Sequence, residues 1–459
     1  MLSSRLQLLQ ESLQKLLRRG AHGHVERLLK RSRPVDVAVV MRFLDERQRR
    51  RVFDLLPDDA HRAETLTELD PHLVAELFES LAADHSVGWL ARLVAEMGPD
   101  DRADLLSEVP DELRQQIIDA LKPDEAEQVE DLLHYAPDTA GGIMSPDFFA
   151  LPEQTLAKAA IEALQASADV EMAFYIYAVN EHGHLVGVVS LRALVTHPAN
   201  TPLSEMMESD VISVTIDTDQ EEVARLAARY NLLAIPVVDT GNHLVGIVTI
   251  DDVIDVIREE ATEDILKMAG ADESAFERHS LWRHFRTRAP WLFATWIGGL
   301  VGSLLIGVFQ AQLEAKVALA TFIPIVLGMG GNVGTQTATI IVRGLATGRV
   351  SGRLGFTYLA RETSIGLMLG CLYGLLLAAY ALVRYTGEAG VSHLALTVAL
   401  SILTSMSVSA TVGALTPLIF DRLNIDPAVA TGPIVTTTVD VLGIMVYFAM
   451  ASLFIGMGG

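Results

Sequence analysis

The stretch "GPIVTTTVDVLGIMVYFAMASLFIG", from Gly432 to Gly456, constrains the fold more than any other part of the sequence. It is a 25-residue apolar run that carries one charged side chain, Asp440. At 1.5 Å per residue, about 20 such residues cross the hydrocarbon of a bilayer as a helix. Four earlier runs share this character, so the sequence predicts five membrane-spanning helices, the first four at Ala289–Phe309, Ala318–Val342, Ser364–Leu382 and Leu394–Phe420.

Charge divides the chain at about residue 288. Beyond this point there are only six acidic and seven basic residues, which leaves 52 of the 58 acids and 28 of the 35 bases in the first 288 residues. The first part therefore has a net charge near −24, whereas the membrane part is close to neutral. This strong negative charge argues against nucleic-acid binding, which requires a basic surface. It favours the binding of cations.

The basic residues of the membrane half indicate its orientation. They concentrate in two segments, residues 278–288 before the first span and residues 343–361 between the second and third. The positive-inside rule places both segments in the cytoplasm. The connection that holds Asp426 is then also cytoplasmic, and the C-terminus lies outside. Met1 to Arg19 is charged and amphipathic rather than a signal-peptide core, so the N-terminus is expected in the cytoplasm.

Residues 1–135 repeat a helix-start signal. "LPDDAHRAETL", "GPDDRADLL", "VPDELRQQI" and "KPDEAEQV" each place a proline and acids before an apolar periodic stretch. Proline in the first turn, with acids near the positive end of the helix dipole, is typical of helix N-termini. Helices this short cannot bury a core alone, so a stacked, all-α superhelical domain is predicted.

Residues 136–257 contain a different repeat. "IYAVNEHGHLVGVVSLRALV" and "IPVVDTGNHLVGIVTIDDVI" align with an offset of 59 residues, and each predicts a β-hairpin followed by a helix. This tandem α/β pattern resembles the cystathionine-β-synthase (CBS) domain pair, which in many proteins binds adenine nucleotides. The resemblance implies that Thr249 and Asp252 hold a ribose, with Arg192 and Tyr177 also near the nucleotide. The first repeat departs from this pattern, since Ser190 is followed by Ala193, so a pair that only transmits a conformational change is the alternative.

Residues 258–288 continue an acidic helix that begins within the CBS pair, in "DDVIDVIREEATEDILKMAG". Seven acids stand against one base, Arg258, between Asp251 and Asp264. Such like charges destabilise an isolated helix, and a solvated helix face normally mixes lysine with glutamate. Divalent cations with a preference for oxygen ligands, such as Mg²⁺ or Ca²⁺, are therefore expected here. A merely solvated face is the alternative.

Asp440 needs a partner or a pore. A charged side chain in mid-bilayer costs about 2.5–3.5 kcal/mol on insertion scales and usually faces a bundle interior or a water-filled path. No lysine or arginine lies in the core of any predicted span, so a mobile cation is the natural partner, with a protonated Asp440 bonded to a neighbouring helix as the alternative. The second span offers a matching polar face, formed by Gly328, Asn332, Thr335, Gln336 and Thr339.

The chain as a whole is similar to the MgtE family of bacterial magnesium channels. The phrases "PIVLGMGGNVGTQTATIIVRGLATG" and "GPIVTTTVDVLG" carry the resemblance, together with the order of the segments. It implies a multidomain membrane protein with a superhelical N-domain (1–135), a tandem CBS pair (136–257), an acidic, plug-like connecting helix (258–288) and a five-helix transmembrane domain (289–459). The family also implies a homodimer in the bacterial inner membrane, whose ion pathway is lined by the second and fifth spans. Asp440 would be the selectivity carboxylate, with Gly328, Asn332, Thr335 and Thr436 nearby.

The resemblance further implies closure of the pore by cytoplasmic Mg²⁺ bound between acidic segments. The positions that match this role are Asp100, Asp104, Asp252, Glu260, Glu263, Asp264 and Asp426, with Glu68 and Glu221 as further candidates. ATP is a second candidate ligand. A proton-coupled divalent cation transporter and a membrane-anchored CBS nucleotide sensor remain as alternative functions. No motif indicates an enzyme.

Overall fold

The computed structural model describes residues 4–167, 174–271, 281–350 and 354–455. Contacts between Cα atoms divide the chain into two compact units, Met1–Arg258 and Glu259–Gly459. The first unit holds a series of short helices and two small β-sheets, and the second holds the long apolar helices.

Ten short α-helices occupy the described residues up to Leu133, and their apolar sides form one continuous leucine-rich core. They are α1 (Ser4–Arg18), α2 (His22–Leu29), α3 (Pro34–Met41), α4 (Glu46–Asp54), α5 (Asp59–Thr67), α6 (Pro71–Asp84), α7 (Val87–Ala95), α8 (Pro99–Ser107), α9 (Asp111–Ile118) and α10 (Pro123–Leu133). All four predicted helix starts are confirmed to within two residues. In α8 and α10 the proline itself is the first helical residue, where its missing N–H leaves no intrahelical bond unmade.

Arginine side chains join successive helices of this array. In four helices the fourth residue is an arginine whose guanidinium donates to carbonyl oxygens at the C-terminal end of the preceding helix. These residues are Arg49 in α4, Arg62 in α5, Arg102 in α8 and Arg114 in α9. The last carbonyls of a helix have no intrahelical donor, so the guanidinium supplies their hydrogen bonds. Its positive charge also interacts favourably with the negative end of the helix dipole.

The second half of the first unit consists of two similar three-stranded sheets. The strands are β1 (Ala150–Pro152), β2 (Tyr175–Val179), β3 (Leu185–Ser190), β4 (Val214–Thr215), β5 (Ala234–Val238) and β6 (Leu244–Thr249). The helices of this region are α11 (Ala157–Ala166), α12 (Leu191–Thr196), α13 (Leu203–Met206), α14 (Gln220–Tyr230) and α15 (Ile250–Met268). In each sheet the central strand pairs in parallel with the strand before it and antiparallel with the strand after it.

The register confirms the predicted repeat. Ala178 pairs with Gly187 and Val237 pairs with Gly246, and both hairpins have an irregularity at the next residue. The two hairpins also touch where equivalent residues meet, because His184 and His243 form an isolated antiparallel bridge. The copies are therefore related by an approximate two-fold axis that passes between these histidines.

The second unit contains five helices long and apolar enough to cross a membrane, in the part of the chain that the structure describes. Its helices are α16 (Leu281–Val308), α17 (Gln310–Ala315), α18 (Ile323–Ala346), α19 (Leu354–Arg384), α20 (Val391–Arg422) and α21 (Pro433–Ile455). A 3₁₀ turn, Val317–Phe322, leads into α18. The prediction of five spans is confirmed.

Small residues allow these helices to pack closely, with α20 at the centre. On one side of α20, Gly413 approaches Gly334 of α18 so closely that a Cβ on Gly413 would strike the Gly334 carbonyl. On another side the α19 residues Gly366, Gly370 and Gly374, spaced by four, lie against the α20 backbone. In membranes such small-residue contacts are a main source of helix association. Gly298 on α16 likewise lies against Thr437 of α21.

Candidate cation pathway and acidic clusters

One face of α18 is polar and uncovered within the chain. Gly328, Asn332, Thr335, Gln336 and Thr339 are all exposed, and at 100° per residue they occupy about 100° of the helix circumference. None of the four polar side chains makes a hydrogen bond to another described residue. An unsatisfied polar face is unfavourable against lipid, so it suits a partner surface or a water-filled path.

Asp440 faces this region from α21. Its Oδ1 lies 3.9 Å from the position that a Cβ would take on Gly331 of α18, so the glycine leaves space beside the carboxylate. Asp440 is half-buried, and it makes no hydrogen bond or ion pair with any described residue of the chain. Thr436, one turn earlier, donates its hydroxyl to the Gly432 carbonyl at 3.2 Å. The structure thus brings an unpaired carboxylate next to the glycine-rich helix α18.

A group of acids in the first unit combines the start of α8 with the start of α15. Burial, and then the charges of Asp100 and Asp251, raise the pKa of Asp252 to about 8. Burial also raises the pKa of Asp100, and the nearby Asp147 contributes to that shift. Arg102 is the neighbouring cation, but its guanidinium is buried and bonded to the end of α7. Any further positive charge placed among these carboxyls would therefore stabilise their ionised forms.

The donor set of this acidic group fits a hydrated divalent ion. Oδ1 of Asp100 is buried and has no hydrogen-bond partner among the described residues, so one ligand atom is available. In the described part of the chain, no three His, Cys, Asp or Glu side chains lie close enough to hold one metal ion directly. Mg²⁺ usually keeps several waters and takes only one or two carboxylates. Asp100 and Asp252 would hold such an ion with water completing its shell.

A second acidic group lies in the second unit, where α15 meets the connection between α20 and α21. Lys267 donates to Glu263 at 2.6 Å and to Asp426 at 2.7 Å. Burial, and then the charge of Asp426, raises the pKa of the neighbouring Asp264. Burial alone would lower the pKa of Lys267, but the hydrogen bonds to Asp426 and Glu263 raise it above its usual range. A fixed ammonium thus occupies part of the space between acids where a metal ion was predicted.

The remaining predicted regulatory residues lie outside these two groups. Burial, and then the charges of Asp255 and Glu64, raises the pKa of Glu68. Asp104 and Glu221 lie on exposed surfaces of α8 and α14, and Glu260 is half-buried on α15.

The residues predicted to bind a nucleotide differ in their hydrogen bonds and in their exposure. The Thr249 hydroxyl donates to Asp252 at 2.5 Å, so the threonine–aspartate pair of the second repeat is assembled. In the first repeat the Ser190 hydroxyl accepts from the Ala193 backbone as a helix cap. Arg192 is exposed. Tyr177 is 1% exposed, and its buried hydroxyl has no partner among the described residues.

Sequence reasoning missed two residues of the acidic groups. Asp147 follows a proline in a connection and carries no periodic signal, so only the fold shows that it lies near Asp100. Lys267 was visible in the sequence, four residues after Glu263 on a helix with one other base before it. That spacing predicts an ion pair, and it could have indicated the contact.

Comparison with known proteins matches three regions of the chain to family models. Residues 323–450 match the MgtE family, a divalent cation transporter, residues 32–138 match the MgtE intracellular N domain, and residues 140–200 and 203–259 match CBS domains. The magnesium transporter MgtE of Thermus thermophilus is 37% identical over 448 residues, covering 96% of this chain and 97% of that protein. The magnesium transporter MgtE of Bacillus subtilis is 34% identical over 444 residues, with 96% of each chain covered.

A solved structure supports the same assignment for the first unit. The crystal structure of the cytosolic domain of the Mg²⁺ channel MgtE in complex with ATP is 39% identical in sequence, with a TM-score of 0.50. The match covers 54% of this chain and 99% of that one. With relatives above 30% identity over nearly its whole length, the chain belongs to the MgtE family of divalent cation transporters.

Proposed function

We propose that the chain is a Mg²⁺-selective channel that imports magnesium across the bacterial inner membrane, with its N-terminus in the cytoplasm and its C-terminus outside. The observation that carries this proposal is the unpaired Asp440 carboxylate beside the glycine-rich helix α18. A carboxylate at membrane depth that lacks a fixed cation is stabilised by a passing one. The proposal assigns no chemical reaction to the chain.

The pathway is proposed to form between two copies of the chain. The polar face of α18 is uncovered in a single copy, and a two-fold axis would turn two such faces toward each other. It would also bring two Asp440 carboxylates into one pathway, and their combined charge of −2 balances one divalent ion. Because Mg²⁺ sheds its water reluctantly, the ion would pass largely hydrated, contacting Asp440, Asn332, Thr335 and Thr436 through water.

Cytoplasmic Mg²⁺ is proposed to close the channel by binding at the two acidic groups. With an ion present, the repulsion between Asp100 and Asp252 in one group, and between Asp264 and Asp426 in the other, is neutralised. Each ion stabilises the state that binds it by RT ln(1 + [L]/Kd), so several weak sites together suffice for a switch at millimolar concentration. The assembled Thr249–Asp252 pair supports adenine nucleotide binding by the CBS pair, as in the relative solved with ATP.

The direct test is Mg²⁺ uptake into liposomes that contain the purified full-length protein. Wild type should conduct and should be shut by millimolar Mg²⁺ on the side of the first unit. Asp440→Asn should abolish uptake, because the amide cannot hold the ion. Glu388→Gln, an exposed acid between the third and fourth spans, is the matched control and should conduct normally. Equal uptake by the Asp440 variant would show that this carboxylate is structural, and saturable uptake that drives proton counterflow would favour the proton-coupled alternative.

A further inference from the structure

A cavity of about 220 Å³ lies between α18 and α19, and Asp440 is not among its lining residues. The Gln336, Tyr358, Arg361 and Glu362 side chains supply its polar lining, and residues such as Leu369 supply an apolar wall. The proposed transport pathway does not account for the two opposite charges in this cavity.

The position of the charges along α19 sets their depth in the membrane. Glu362 and Arg384 are separated by 21 residues without a charged side chain. At 1.5 Å per residue this apolar segment is about 32 Å long, close to the roughly 30 Å of hydrocarbon in a bilayer. Arg361 and Glu362 therefore lie at one headgroup boundary and Arg384 at the other. The cavity begins among the headgroups and extends toward Leu369, about 10 Å deeper along the helix.

Glu362 is the unusual residue of this cavity. It is only 5% exposed, yet no hydrogen bond or ion pair joins it to another residue in the part of the chain that the structure describes. Arg361 precedes it directly but lies exposed, and no ion pair within 4.0 Å connects the two. Because this side chain lines the cavity without a fixed partner, a ligand there that brings positive charge and hydrogen-bond donors would be stabilising.

The two charges together select the class of ligand. A bare divalent cation would be attracted by Glu362 but repelled by Arg361. An anion would be attracted by Arg361 but repelled by Glu362. A zwitterion satisfies both, and the lipid headgroups at this depth include one with a primary ammonium and a phosphate. We propose that the cavity binds the headgroup of an aminophospholipid, with Glu362 accepting from the ammonium, Arg361 binding the phosphate, and the apolar wall contacting the acyl chains.

This assignment distinguishes ethanolamine from choline headgroups. A primary ammonium has three N–H donors for Glu362, whereas a quaternary ammonium has none and would leave the carboxylate without hydrogen bonds. Because charged hydrogen bonds are strong, we expect phosphatidylethanolamine to be preferred over phosphatidylcholine by about tenfold or more.

The test uses full-length protein in nanodiscs that contain phosphatidylethanolamine, phosphatidylcholine and phosphatidylglycerol in known proportion. After gentle delipidation, native mass spectrometry measures which lipids remain bound. Wild type should retain phosphatidylethanolamine at least tenfold above its bulk ratio to phosphatidylcholine, and Glu362→Gln should remove this enrichment. Arg384→Gln, at the other boundary of the same helix, is the control and should keep it.

A second series tests wild type alone and does not depend on the folding of a variant. Mono- and dimethylated phosphatidylethanolamine should be retained progressively less well, because each methyl group replaces one N–H donor. Retention in the bulk ratio, or enrichment that survives Glu362→Gln, would overturn the proposal. So would Mn²⁺ binding that depends on Glu362 in lipid-free detergent without aminophospholipid enrichment, which would indicate a metal site. The proposal does not depend on which ion the protein carries.

Discussion

Replacing Asp252 by asparagine tests the electrostatics of the first acidic group. Its pKa of about 8 lies about four units above the usual value of 3.8. The folded state therefore keeps a proton that the unfolded state releases between about pH 4 and pH 8. Because the folded pKa is raised, the stabilisation from this proton is complete below about pH 4 and is lost as the pH rises through 8. In this window the free energy of unfolding should fall by about 1.4 kcal/mol per pH unit.

Asparagine carries no titrating proton, so the variant should lack this slope. Between pH 5.5 and pH 8 in the absence of Mg²⁺, wild type should lose about 3 kcal/mol relative to Asp252→Asn. Urea unfolding of the first unit within the full-length protein, followed by pulse proteolysis at each pH, would measure this difference. Asp217→Asn, at an exposed turn, should follow wild type.

Magnesium supplies a second readout of the same substitution. At pH 8, 10 mM Mg²⁺ should stabilise wild type, because the ion replaces the lost proton, and it should stabilise Asp252→Asn much less. Parallel pH profiles for wild type and Asp252→Asn would refute the reasoning, since the buried carboxyl would then not be the group that titrates.

Three further changes probe other contacts. Lys267→Met should free Glu263 and Asp426 for the metal, so protease resistance of the connecting helix should require less Mg²⁺ than in wild type; an unchanged requirement would exclude competition between ammonium and metal. Gly413→Val should lower the melting temperature of the solubilised protein through overpacking of about 1–3 kcal/mol, whereas Gly299→Val, with open space at its Cβ, should not. Thr249→Ala should weaken ATP binding about tenfold in calorimetry, a loss of about 1.4 kcal/mol, and equal affinities would remove this threonine from the nucleotide site.

Features set by local sequence were predictable. The spans could be predicted because a run of about 20 apolar residues is rare in a water-soluble fold. The helix starts could be predicted because proline restricts its own backbone. The CBS repeat was predictable from its offset of 59 residues, which the two hairpin registers reproduce. The close packing at Gly298 was predictable because small residues in a span usually mark a helix contact.

The meeting of distant acids was not predictable from local pattern. Asp100 and Asp252 are neighbours in space but 152 positions apart in the sequence. Every acidic stretch of the first 288 residues offers similar carboxylates, so only tertiary packing selects which ones approach one another. The burial of Glu362 was hidden for a related reason. Its position at the end of an apolar run is equally typical of a solvated headgroup residue, and the cavity depends on how α18 packs against α19.

The arginine junctions of the helical array have a mechanical consequence. Each guanidinium ties the start of one helix to the end of the helix before it, so neighbouring helices are joined by bonds as well as by apolar contact. Under tension, such an array would resist until one junction broke and would then lengthen by one helix at a time. Single-molecule pulling should therefore give a sawtooth of small, similar steps, and replacing Arg114 should weaken one step while leaving the others unchanged.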